Sequence, residues 1–123
     1  MLNTKKLLTK ILQCDYIVEQ GTKNNWTYRK WNSGIAECWM ITTLGASSGN
    51  VSGTLTFPFS FANTDYNVQL TAGNNVLIGS LVAENNYSNG TRERTVNTTK
   101  ISVYKTGNAY TQGINAYVIG NWK

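Results

Sequence analysis

The sequence predicts an all-β fold, an antiparallel sandwich preceded by one short N-terminal helix, and three observations carry that expectation. Only 14% of the 123 residues are charged, and Asn, Thr and Ser supply the polar surface alongside 11 Gly and a single Pro. A helical bundle would need far more Ala, Glu and Lys, whereas short strands joined by many turns suit this mixture. Runs of β-branched and aromatic residues then recur in close succession between Gly, Asn and Ser clusters such as 46–50 and 73–75, which is the pattern of a sandwich. Finally, Asn32-Ser33-Gly34 lies between two aromatic-rich runs, and its Asn and Gly tolerate the positive φ of a hairpin reversal. A chain of this length makes one domain and buries most of its apolar surface without disulfides.

Taken in order, residues 3–13 form the helical segment, with Leu7, Leu8, Ile11 and Leu12 on one face and lysines opposite. So short a helix is marginal alone in water, and its stripe needs either the domain's own sheet or the same helix in sister chains. Heptad spacing is met only in part, by Met1, Leu8 and Ile11 but not Thr4. A connecting stretch with Tyr16, Ile17 and Val18 follows, then strands at 26–31, 35–44, 51–57, 66–71, 76–82, 100–104 and 115–120. Alternation puts Trp26, Tyr28 and Lys30 on one face and Thr27, Arg29 and Trp31 on the other. Burial statistics favour Trp39 as a core residue and leave Trp26 and Trp31 open. Residues 85–99 are a long polar segment broken only by Tyr87 and Val96, and long ordered loops in compact domains tend to be functional.

The net charge of +5 comes from scattered residues, among them Lys5, Lys6 and Lys10; Arg29 and Lys30; Arg92 and Arg94; Lys100, Lys105 and Lys123. They form no phosphate-tracking stripe, so a solvated surface with mild attraction for anionic cell-wall polymers is expected rather than a nucleic-acid partner. Cys14 and Cys38 are expected as free thiols, because two cysteines without an export signal are a poor disulfide framework. Residues 1–14 are not expected to act as a lipoprotein signal, since Lys10 interrupts the apolar run and Gln13 is bulky where a small residue is needed. No later segment approaches membrane-spanning length, so membrane insertion is not expected.

The chain has no histidine, which removes the usual general base and the usual transition-metal ligand. A glycosidase would need two of Asp15, Glu19, Glu37, Asp65, Glu84 and Glu93 facing one cleft. Glu37 and Glu84 lie in or beside predicted strands and could converge, but salt bridging is the expected role. Gly-rich phosphate loops and metal-spaced cysteines are absent, so neither a cofactor, a metal nor catalysis is expected. Binding chemistry remains. Amides match pairs of sugar hydroxyls, aromatic faces cover the C–H patches of a ring, and Arg forks carboxylate or phosphate. Asn85, Asn86, Tyr87, Asn89, Arg92 and Arg94 combine these groups in one segment, and Tyr110 and Gln112 form a thinner second candidate.

Tyr28-Arg29-Lys30-Trp31, the Ser33-Gly34 turn and Ala36-Glu37-Cys38-Trp39 resemble the C-terminal domains of tail-fibre and minor tail proteins of phages and prophages in Gram-positive bacteria. Those domains often carry an aromatic-Arg-Lys-Trp, a Ser-Gly or Asp-Gly turn, then Ala-Glu-Cys-Trp. Phe57-Pro58-Phe59-Ser60-Phe61 is similar to the Phe-Pro-x-x-Phe that follows in them, and the stretch from Ala116 to Trp122 is similar to their closing strand. The likeness runs from about Asp15 to the C-terminus, with 73–99 unmatched, and in fibre tips unmatched loops are usually the ones that meet the host. The resemblance implies a lectin-like or Greek-key head at 15–123, with residues 1–14 as the end of a trimeric stalk. It further implies a homotrimer made in the bacterial host cytoplasm and carried on the virion tail among other tail proteins. Its function would be non-catalytic recognition of a bacterial surface polysaccharide or other host receptor. The alternatives are a structural tail or baseplate module and, behind it, a glycan-cleaving tail enzyme.

Overall fold

The computed structural model describes residues 14–45, 49–73, 78–84, 87–88, 91–105 and 111–123. Ten strands occur in order: β1 (Ile17–Lys23), β2 (Trp26–Trp31), β3 (Ile35–Leu44), β4 (Gly49–Thr56), β5 (Asn67–Ala72), β6 (Ile78–Glu84), β7 (Tyr87–Ser88), β8 (Thr91–Arg92), β9 (Thr98–Lys105) and β10 (Gln112–Asn121). Every pairing is antiparallel, in a five-stranded sheet β1-β2-β3-β10-β5, a three-stranded sheet β4-β9-β6 and the small pair β7-β8. The all-β antiparallel expectation therefore holds. The helix expected at 3–13 lies outside the described residues.

Each of the seven expected strands overlaps an observed one, but β1 falls partly on the stretch taken as a connection. Its sequence alternates no apolar face, and all seven residues are exposed, so the burial pattern that marks a half-buried strand is missing. What makes it a strand is its turn. Asn24 and Asn25 have φ of 54° and 68°, and a two-residue loop with both residues in that region matches the twist of a hairpin. Lys23 and Trp26 pair directly across it.

One core joins the two larger sheets. The five-stranded sheet contributes Trp26, Ala36, Cys38, Leu44, Ile114, Ala116 and Val118, and the three-stranded sheet contributes Leu55, Ile101 and Val103. The chain between β4 and β5 adds Phe57, Phe61 and Tyr66. Phe57 meets Trp26, Phe61 and Tyr66 edge-on at 5.8, 5.2 and 5.0 Å between ring centroids, the arrangement aromatic quadrupoles favour. Trp26 also donates from Nε1 to the Thr56 carbonyl at 2.7 Å. The indole in the core is thus Trp26, 1% exposed, and not Trp39. Ala36 and Cys38 face inward, so period-two alternation turns Glu37, Trp39 and Ile41 outward.

Both described ends of the chain sit at one pole. Asp15 accepts hydrogen bonds from the Ser33 amide at 2.9 Å and the Ser33 hydroxyl at 2.7 Å, and Asn32 donates to the Tyr16 carbonyl. Trp122 donates from its amide to the Gly34 carbonyl and from Nε1 to the Trp31 carbonyl. Asp15 is held below its ordinary pKa, first by the Ser33 hydroxyl. β3 ends, and β10 begins, at the opposite pole, where Leu44 pairs with Gln112.

Candidate ligand-binding face

The outer face of the five-stranded sheet carries the most developed surface chemistry among the described residues. Strand register places Thr27, Trp39, Tyr117 and Gln69 in one row across β2, β3, β10 and β5. In the next row Asn115 lies between Ile41 and Thr71. Together with Asn25 at the β1–β2 turn, these two rows line an open groove of about 750 Å³, within the size range of small-molecule sites.

A charged network braces one side of the groove. Tyr117 donates its hydroxyl to Glu37 Oε2 at 2.5 Å. Arg29 Nη1 stands 3.7 Å from Glu37 Oε1, and its guanidinium lies 5.0 Å from the Trp39 ring centre. Burial first, and then the bond to Glu37, push the Tyr117 phenol up to about 12, so it is a protonated donor at neutral pH. Arg29 and Glu37 compensate each other and hold the two aromatic side chains in place. Beside them Ile41 and the Trp39 indole offer apolar surface, while three carboxamides and two threonine hydroxyls offer paired donors and acceptors.

Of the residues expected to bind ligand, Arg94 and Gln112 are described with their side chains. Asn85, Asn86, Asn89 and Tyr110 lie outside the described residues, as do the side chains of Tyr87 and Arg92, whose backbones pair in β7-β8. Gln112, half of the thinner second candidate, is the fully buried first residue of β10 and donates from Nε2 to the Gly113 carbonyl, so its amide does not face a ligand. Arg94 turns back onto the domain: Nη1 donates to the Tyr66 carbonyl at 2.9 Å, and the guanidinium stacks 4.6 Å from the Tyr66 ring centre. It lines a second groove, of about 360 Å³, between β5 and β6. Arg94 and Gln112 do not converge. Arg94 bonds near the start of β5, beside Phe61 and the Gly120 end of β10, whereas Gln112 begins β10 at the other pole. Glu37 and Glu84 lie in different sheets. No group of three metal-ligating side chains occurs among the described residues.

Sequence reasoning missed Trp39, Tyr117, Gln69 and Asn115 as one surface. The signal was available in part, since alternation along β3 and β10 puts Trp39 with Ile41 and Tyr117 with Asn115, but pairing those strands requires the register.

No protein-family model and no curated protein matches the chain. Solved structures of pyocin tail fibres match its fold, two of them with a TM-score above 0.5. The C-terminal part of the P. aeruginosa R1 pyocin fibre superposes with a TM-score of 0.58 at 16% identity, covering 98% of this chain and 32% of that one. An N-truncated R1-type pyocin tail fibre gives 0.57 at 16% identity, covering 98% of both chains. The chain thus spans about a third of the longer fibre fragment and nearly all of the shorter. The fold is one that pyocin tail fibres use.

Proposed function

We propose that the chain is the receptor-binding head of a phage-type tail fibre, and that it binds a bacterial surface glycan in the groove over Trp39 and Tyr117 without catalysing a reaction. The supporting observation is the position of that groove on a fibre-type fold. Its residues run from the middle of β3 and β10, at Trp39 and Tyr117, toward the pole opposite the one where the chain comes in at Asp15. A stalk joined at the Asp15 pole would leave this groove open on the flank of the head. On this reading the domain is a lectin-like sandwich in a homotrimer on the virion tail, alongside other tail proteins. Weak single-site binding gains from trimer avidity, because later contacts become intramolecular.

A glycan array probed with the purified chain tests the proposal. The expected result is saturable binding to a bacterial glycan that Trp39→Ala abolishes while the variant keeps its thermal midpoint. Light scattering should give three times the chain mass, and a monomer would overturn the trimeric stalk. Ile41, 76% exposed on the same face, favours one rival, a structural module that buries this surface against another tail protein. Capture of other tail proteins, with no glycan bound by the wild type, would establish that rival instead.

A further inference from the structure

We infer that the ligand segment seated over Trp39 is an uncharged saccharide, with no carboxylate, phosphate or ammonium group on the rings that fill the groove. The inference rests on the glycan reading and adds the chemical class. It runs against the net charge of +5, which by itself would suggest an anionic polymer.

The lining decides the matter. Asn25, Gln69 and Asn115 each present a donor and an acceptor, Thr27 and Thr71 present hydroxyls, and none of these is ionisable. Arg29, the cation on this face, is already committed to Glu37 and to the Trp39 ring. Glu37 is in turn committed to Arg29 and the Tyr117 hydroxyl. A carboxylate or phosphate entering here would shed water and meet at the groove's edge a guanidinium whose charge Glu37 already offsets, and an ammonium would meet a carboxylate already bonded to Tyr117; both are costly.

The other described basic side chains are engaged elsewhere. Lys30 bonds Glu19 at 3.0 Å, Lys100 bonds Glu93 at 3.0 Å, Arg94 is held by Tyr66, and Lys123 lies over Trp122. Lys23 pairs with the inward-facing Trp26, so it projects from the opposite face of the sheet. A neutral pyranose fits what remains: its C–H face covers Trp39 and Ile41, and its hydroxyls meet the three amides.

The test titrates the intact chain with two sets of probes, following tryptophan fluorescence and heat. One set is uncharged, namely N-acetylglucosamine oligomers and mannan and galactan oligosaccharides; the other is anionic, namely oligogalacturonate and poly(glycerol phosphate). The expected result is saturable binding of an uncharged oligosaccharide with affinity nearly independent of salt, as no ion pair contributes. Asn115→Ala and Gln69→Ala, both at exposed positions, should weaken it roughly tenfold, about the loss of one good hydrogen bond, and leave the fold unchanged. Preference for the anionic probes, falling steeply with salt and indifferent to Asn115→Ala, would overturn the inference while leaving the glycan reading standing. Failure of every saccharide to bind wild-type protein would overturn both.

Discussion

Arg94 separates a binding residue from a structural one, and Arg94→Ala measures the difference. Its guanidinium donates to the Tyr66 carbonyl at 2.9 Å and lies 4.6 Å from the Tyr66 ring centre, while Tyr66 itself packs edge-on against Phe57 in the core. A hydrogen bond from a charged donor contributes about 1.5–3 kcal/mol, and a half-buried cation–π contact adds about 0.5–1 kcal/mol. Against this, Nε is buried with no hydrogen-bond partner among the described residues, which offsets the gain by about 1 kcal/mol. The net loss on truncation is about 2 kcal/mol, and a domain of this size then melts roughly 6–12 °C lower. Thermal unfolding followed by near-ultraviolet circular dichroism reads that shift, and Arg94→Lys, which keeps the charge but not the fork, should recover part of it. An exposed loop arginine would instead change stability by no more than ~0.5 kcal/mol. If Arg94→Ala melts within about 2 °C of wild type and loses glycan binding, the structural account of this residue is refuted.

Two further outcomes follow from the titrating groups. Burial, with Glu37 alongside, pushes the Cys38 thiol from 9.0 up to about 12, and the Tyr117 phenol is raised from 10.0 to about 12. Both groups favour the neutral form in the folded state, so their stabilisation is complete below the unfolded values and is lost as pH climbs from 9 through 12. Melting temperatures taken across that alkaline range should fall, less steeply in Cys38→Ala, and a flat profile would contradict the assignment. With Cys14 exposed and Cys38 buried, a thiol reagent should label Cys14 in the native protein and reach Cys38 only after unfolding. A Cys14–Cys38 disulfide in freshly purified protein would count against this.

The β2–β3 hairpin was readable because its turn residues and its aromatic flanks point to the same structure, and Gly34 does adopt a positive φ of 102°. Which face of that hairpin lies inside was not readable. Alternation divides Trp39 from Cys38, but the choice between faces depends on what the opposing layer supplies. Here Trp26, Phe57, Phe61 and Tyr66 fill the interior near the start of β3, where the inward positions are the small Ala36 and Cys38, while Leu44 reaches in at its far end. The amide-rich segment around Asn85 drew notice because its chemistry is contiguous in sequence. The groove was hidden because its chemistry is spread over four strands and meets only through the pairing of β10 with both β3 and β5. Gln112 shows the same limit, since a polar residue beside Gly113 reads as loop until the ladder places it opposite Leu44.

The turn at Asn32-Ser33-Gly34 works as a buckle. It receives the incoming chain through Asp15 and the outgoing chain through Trp122. From Asp15 the chain runs directly into β1, which lies along β2 from Ile17 opposite Trp31 to Lys23 opposite Trp26. If the chain is held at Asp15 and at the groove over Trp39, tension between the two points acts along the length of β1. Its ladder bonds would be sheared together instead of being unzipped one after another, and the Ser33 contacts with Asp15 take the load first. Because forced rupture is governed by the rate of unfolding rather than by equilibrium stability, Asp15→Ala should lower the rupture force of a tethered domain far more than it lowers the melting temperature.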